Sequence, residues 1–319
     1  MSISVVITCH DDERTIEQAV HSVVAQTAFD RVVEIIVVND GSSDGSQGVL
    51  EQMDVKATKL RIIETSGLGA AAARNAGLRE VRGDFIAILD GDDYWTPEKL
   101  ASQLSAFSRG SNIGLVYGDF IEFSRDDAAD GHIITVRRFD PTSAYQLRDY
   151  FLHDGPVLPS TSIIRNAVVE DVGLFNDSLR IGEDTEFCLR ILEKWRFCYV
   201  PGAFTFKRRH AGRLSSRIDV FLPNNALLTQ QFSARYPELR ALAGRRMARG
   251  HVKASIDCKT KGEWRNAVRH GTTAIRLAPL YWRSWINLIL VLMPIRVTRL
   301  FYECFKRPWH ALRQSLHGA

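Results

Sequence analysis

The 319 residues are 45% hydrophobic and 24% charged, a globular balance that excludes wholesale disorder and allows one or two domains around a sizeable core. The net charge of +4 hides a division: residues 1–220 hold 24 Lys and Arg against 33 Asp and Glu, a balance of −9, whereas residues 221–319 hold 17 against 4, a balance of +13. A basic end on an acidic body points to an anionic partner, membrane lipid or nucleic acid. The five cysteines, at 9, 188, 198, 258 and 304, are scattered and form no Cys-x-x-Cys pair, which fits a reducing compartment without a zinc site. No basic stretch followed by an apolar one opens the chain, so no secretory signal is expected. The longest apolar stretch, near residues 285–295, has about ten residues where a spanning helix needs about 20. The expected location is cytoplasmic, free or peripheral on the inner face of the membrane.

In chain order, residues 4–9 form a β-branched run that reads as a buried strand, and Asp11 and Asp12 offer N-cap chemistry to a helix carrying Ile16, Ala19, Val20, Val23 and Val24. Residues 32–38 are the second strand, and the Asp40-Gly-Ser-Ser-Asp-Gly turn leads to a helix. Residues 60–64 predict a third strand, Gly67-Leu-Gly an alanine-rich helix over 70–78, and residues 85–89 a fourth strand. This alternation predicts an α/β fold with a mostly parallel sheet flanked by helices. Thr96-Pro97-Glu98 opens a further helix, Thr as N-cap and Pro at its first position. Residues 113–123 and 132–139 read as strands of a hairpin, residues 161–164 and 199–206 as later strands, and 183–192 as a helix. Beyond Pro223 the chain turns helical and basic. Residues 262–267 and 274–279 look like one helix pair of the tetratricopeptide kind, a single copy of a repeat that normally needs several. An apolar stretch with Trp282 and Trp285 follows, then Arg296, Arg299, Lys306, Arg307 and Arg313 interleaved with aromatics, a pattern that fits either an interfacial anchor on anionic lipid or a helix packed on its own domain. Nucleic acid is disfavoured, because these aromatics are not spaced as a stacking platform.

Chemistry concentrates where apolar strands end in carboxylates. Asp40 closes the second strand, and Asp90-Gly91-Asp92-Asp93 closes the fourth. In an open α/β sheet that edge is where ligands bind. Oxygen-only donors around an Asp-x-Asp favour a hard divalent cation, Mg2+ or Mn2+, which usually arrives with phosphates. Asp40 can accept the imide N–H of uracil or thymine, or the N1–H and amine of guanine; it can equally cap the helix that follows. Asp92 is placed as a metal ligand, Asp90 on the ribose or a metal-bound water, and Arg74 on a phosphate or on Asp90. His210, beside Lys207, Arg208 and Arg209, is placed on the metal or the diphosphate. Asp184, with Glu183 beside it, is the candidate general base; the same pair can also satisfy a helix N-terminus.

Taken together, residues 4–26, 34–43, 67–77 with Ala73-Arg74-Asn75-Ala76-Gly77, and 83–100 resemble in order the nucleotide-sugar half of glycosyltransferase family 2, which has the A-type glycosyltransferase fold. Gly182-Glu183-Asp184 and Lys207-Arg208-Arg209-His210 resemble its acceptor-side and late motifs, so the resemblance covers about the first 215 residues. It implies a catalytic domain over 1–220, with donor half 1–110 and acceptor half 111–220, and a helical basic extension over 221–319. It further implies an inverting, metal-dependent transfer of a sugar from a nucleoside diphosphate, with a UDP-sugar favoured, to a hydroxyl of a glycan or lipid-linked carbohydrate. The donor would be held by Thr8, His10, Asp11, Asp40, Arg74, Asp90 and Gly91. Here Thr8-Cys9-His10-Asp11 stands where the family usually has Pro-Thr-Tyr-Asn, which places an imidazole where a phenol would stack on the base. The alternative is a catalytically inactive nucleotide-binding or tethering module that keeps the fold and works through its basic end. No pattern fixes the sugar, the acceptor, the linkage or the oligomeric state.

Overall fold

The computed structural model describes residues 1–54, 59–124, 130–153, 157–179, 181–209 and 217–294. Contacts divide the chain into two compact units, Met1–Arg213 and Leu214–Ala319.

The first unit is built on one mixed sheet. Its parallel half comprises β1 (Ile3–Cys9), β2 (Val32–Asp40), β3 (Leu60–Thr65) and β4 (Phe85–Asp90), side by side in the order β3-β2-β1-β4. Valine and isoleucine dominate these strands, which suits a pleated surface covered on both faces. On one face Ile3, Val5 and Ile7 join Ile35 and Val37 under α1 (Ile16–Val24), which contributes Ile16, Ala19, Val20 and Val23. After α2 (Ser46–Glu51), α3 (Ala70–Leu78) covers the other face, with Ala73 packed on Ile36 and Val38. Register then gathers the strand ends: Thr8 pairs with both Val38 and Asp90, and Asp40 pairs with Thr65. The acidic residues share an edge because the strands stop in step.

The chain continues through β5 (Tyr94–Trp95), α4 (Lys99–Ala106), β6 (Ile113–Phe123), β7 (His132–Ile134), α5 (Gln146–His153), β8 (Ser162–Arg165), α6 (Asn166–Val172), α7 (Glu183–Lys194) and β9 (Arg196–Arg208). β8 runs antiparallel between β4 and β6, and β9 runs parallel to β6. The antiparallel pairing of Tyr94 with Phe206 carries the basic end of β9 back to the acidic rim. The second unit holds α8 (Ile218–Arg235), α9 (Pro237–Thr260), α10 (Trp264–Leu277) and α11 (Trp282–Leu292), with α9 packed against the other three. Among the described residues no helix is long and apolar enough to cross a membrane.

Several local expectations shift. Asp11 and Asp12 do not cap α1 through their side chains; Thr15 is its N-cap residue, and the Asp12 carbonyl accepts from the Thr15 and Ile16 amides at 2.9 Å. α4 starts three residues beyond Thr96, whose buried hydroxyl has no hydrogen-bond partner among the described residues. β7 covers three residues rather than eight, although its antiparallel pairing with β6 forms the hairpin. The last strand reaches Arg208, because pairing with β5 and β6 extends it past the apolar run. The two tetratricopeptide-like segments fall largely on one helix, α10, since the stretch between them keeps helical spacing without a break.

Candidate active site

The carboxyl ends of β1, β2 and β4, the start of α3 and Lys207 enclose a cleft of about 630 Å³. Its lining includes Thr8, His10, Asp11, Asp12, Asp40, Arg74, Asp90, Gly91 and Asp92. The seven residues assigned to the donor and Asp92 therefore come together. A neighbouring cleft of about 330 Å³ shares Asp12 and Asp92 and adds Ser124, Arg208 and Arg209. His210 lies outside the described residues, as do the basic residues beyond 294.

Two turns latch the first loop in place. The Asp11 amide donates to Ser42 Oγ at 3.0 Å, and Asp11 Oδ1 accepts from the Ser43 amide at 2.7 Å. The Ser43 amide bond holds the Asp11 carboxyl below the usual range. The Glu13 amide donates to Asp44 Oδ2, and Glu13 Oε2 accepts from the Gly45 amide. His10 Nδ1 is 2.7 Å from the Asp40 carbonyl, which only accepts, so Nδ1 carries the proton and the ring is pinned at the rim. Cys9 stays a thiol, pushed up to about 11 by burial and by Asp12.

Asp40 is almost fully buried and does not cap α2, whose N-cap residue is Gly45; just before it the Asp44 carboxylate accepts from the Ser46 amide and hydroxyl. Asp40 instead holds the loop before α3: Oδ1 accepts from Thr65 Oγ1 and the Leu68 amide, and Oδ2 from the Gly69 amide, at 2.6–2.7 Å. Burial alone would raise its pKa, yet these three donors hold it below the ordinary value.

The 73–77 segment acts as a clamp. Arg74 is buried rather than solvated. Its Nη2 donates to Asp90 Oδ1 and its Nη1 to Glu183 Oε1, both at 2.9 Å, and its guanidinium stacks over Phe175 at 5.7 Å. Burial opposes its charge, but Asp90 and Glu183 outweigh burial and raise its pKa. Asn75 exchanges two 2.9 Å hydrogen bonds with the Phe175 backbone. One helix face thus joins the end of β4 to the start of α7.

At the acidic rim, Asp90, Asp92 and Asp93 place carboxylate oxygens within 4.8 Å of one another. Lys207 Nζ lies 2.9 Å from Asp93 Oδ2 and 3.4 Å from Asp90 Oδ2. Burial would raise Asp90, but Arg74 and Lys207 hold it well below the usual carboxylate range. Asp93 is buried, its other oxygen takes the Arg208 amide at 3.0 Å, and burial pushes it up to about 6. Asp12 is pushed up to about 7 by burial and by Asp92 and Asp90. Gly91 permits this crowding, since a Cβ there would lie 2.6 Å from Asp12 Oδ2. Repelling carboxylates that face a cleft, all oxygen donors, fit a divalent cation. Asp12 and Lys207 are the residues that sequence reasoning missed. Asp12 reads as a helix cap and Lys207 as part of a basic run, although three basic residues ending a strand were a signal.

Glu183 and Asp184 open α7 outside the cleft lining, linked to it through Arg74. Burial first, then Glu183, pushes Asp184 up to about 6.

Strand order, register and the acidic rim define an α/β protein whose cleft lies at the carboxyl ends of parallel strands. Residues 4–173 match the family model described as Glycosyl transferase family 2, and the chain belongs to that family. It is 29% identical over 189 residues to glycosyltransferase AglE of Haloferax volcanii, covering 59% of this chain and 60% of that one. It is 35% identical over 120 residues to the Escherichia coli UDP-Glc:alpha-D-GlcNAc-diphosphoundecaprenol beta-1,3-glucosyltransferase WfgD, covering 37% and 45%. A glycosyltransferase of Nostoc sp. is 36% identical over 118 residues, 37% of this chain and 36% of that one. The matches thus span about a third to three fifths of these relatives. The crystal structure of S. aureus TarS 1–349 in complex with UDP-GlcNAc superposes with a TM-score of 0.61 at 19% identity, over 91% of this chain and 90% of that one, a likeness of fold.

Proposed function

We propose that this chain transfers a sugar from a nucleoside diphosphate, a UDP-sugar, to a hydroxyl of a glycan or lipid-linked carbohydrate, with inversion at the anomeric carbon. The observation that carries the reading is the convergence of Asp12, Asp90 and Asp92 on a cleft that also holds Asp40 and Arg74. The bound sugar nucleotide in the TarS structure and the UDP-Glc donor in the name of WfgD support the choice of donor.

Asp40 Oδ2 accepts one hydrogen bond, and a carboxylate oxygen has room for a second, so it can receive the imide N–H of a pyrimidine. His10 then lies against the base. Asp92 and Asp12 would hold Mg2+ or Mn2+, with Asp90 kept ionised by Arg74 and Lys207. Such a cation would neutralise the charge gathering on the diphosphate. Asp184 takes the proton of the acceptor hydroxyl, the freed oxygen bonds to the anomeric carbon, and the bond from that carbon to the diphosphate oxygen breaks. Attack opposite the leaving group inverts the centre. Arg74, paired with Glu183, offsets part of the negative charge by which Glu183 opposes ionisation of Asp184.

Donor turnover with Mn2+ is the test. Asp92→Ala and Asp184→Asn are each expected to lower it at least a hundredfold, and unchanged turnover in both variants would remove the assignment.

A further inference from the structure

The second unit presents an apolar face that donor chemistry does not use. Helix α11 buries Leu290 and Val291 in its own unit and is apolar on its outer side as well. Its buried side includes Ser284 and Asn287, whose side-chain polar atoms lie buried without a hydrogen-bond partner among the described residues. Its outer side presents Trp282, Trp285, Ile286, Ile289 and Leu292, between 37 and 58% exposed. Steps of three and four residues put these five on one stripe. A contiguous apolar stripe facing water marks an interaction surface.

Charge identifies the occupant. Residues 264–294 contain no Asp or Glu, and their four arginines, Arg265, Arg269, Arg276 and Arg283, are all exposed. A surface that joins indoles and isoleucines to arginines, with no acid to repel phosphate, complements an anionic bilayer. Tryptophan suits the headgroup level, where one edge of the ring is apolar and the other wet. At 11 residues the helix is about 16 Å long, roughly half the hydrocarbon thickness, so it can lie in the interface but cannot cross it. We propose that α11 docks this protein in the plane of an anionic lipid bilayer, with Trp282 and Trp285 at the headgroups and the neighbouring arginines on acidic lipid. This rests on the exposed face alone and stands or falls separately from the donor site.

The test uses the full chain, without donor or metal, and vesicles of phosphatidylcholine with or without 30% phosphatidylglycerol. Wild type is expected to cosediment with the anionic vesicles, with a blue shift of tryptophan emission, and to come off in 0.5 M NaCl. Trp285→Ser combined with Ile289→Ser changes exposed side chains, so circular dichroism should stay unaltered while vesicle affinity falls at least tenfold. Arg276→Glu with Arg283→Glu should weaken binding to anionic vesicles alone. Absent cosedimentation at low salt, or equal binding by the Trp285 and Ile289 variant, would overturn the proposal. So would an oligomer by light scattering that this variant splits, which makes the face a contact between copies. Tryptophan emission that anionic vesicles leave unmoved would overturn it as well.

Discussion

Arg74 ties together two partly buried carboxylates, one from the end of β4 and one from the start of α7. Its removal leaves the half-buried Glu183 without this cation and Asp90 with Lys207 alone, and losing one partner of a fully buried pair costs about 3–5 kcal/mol, an upper bound here. Arg74→Met is therefore expected to lower the unfolding free energy by up to that amount in a urea titration and to weaken donor binding. Arg74→Lys should recover part of the stability, since an ammonium reaches one carboxylate but lacks the planar fork that reaches both. Asp184 makes a different prediction, in pH. Its carboxyl holds a proton up to about 6 in the fold and to 3.8 without it. A base works only when ionised, so transfer should rise with pH through about 6 and then level, and Asp184→Asn should abolish both the limb and the rate. Stability runs the other way. The native state binds more protons than the unfolded state between about pH 4 and 6, so stability falls as pH climbs through that window, and Asp184→Asn should remove part of the fall.

At the scale of elements, α3 is set by how close it can come to the sheet. Gly77 sits against β1, and a Cβ there would lie 2.4 Å from Val6 Cγ1. Overpacking of this kind costs about 1–3 kcal/mol, so Gly77→Ala should lower thermal stability measurably. It should also displace Arg74 and Asn75, and donor affinity should fall with it. Much of this was legible in the sequence. The apolar runs of β1, β2 and β4 end in polar residues, which fixes both the elements and the edge where the site forms. The Ala73-Arg74-Asn75-Ala76-Gly77 string marked the helix, and the structure gives each of its distinctive residues a partner. The rest was illegible for physical reasons. Asp12 looks like a helix cap because an aspartate before an amphipathic run usually is one; its role depends on Asp90 and Asp92 arriving from a strand about 80 residues later in the sequence. Asp40 gripping Leu68 and Gly69 depends on β2 and β3 pairing in step. The apolar alternation of the last strand stops before Lys207, so pairing with β5, not pattern, carries that lysine to the rim.

For the whole molecule, the acidic rim is a store of unfavourable charge that a correct ligand relieves. Asp12 and Asp93 are pushed upward because burial and neighbouring carboxylates penalise their ionised forms, while Lys207 makes its direct contacts to Asp90 and Asp93. On the proposed function, a divalent cation arriving with a diphosphate would supply the missing positive charge and fill the cleft, and neither component would do both. Mn2+ and UDP together should therefore stabilise the protein more than the sum of their separate effects. At a hundred times the dissociation constant, ligand linkage contributes about 2.7 kcal/mol. For a unit of this size that corresponds to a rise in melting temperature of roughly 5–10 °C. Asp92→Ala should keep the small effect of UDP alone and lose the cooperative part. Lowering the pH to 5 should erode the cooperative part in wild type, because Asp12 then holds its proton against the cation. A tethering module that had kept the fold but lost nucleotide binding would melt at one temperature with or without the pair.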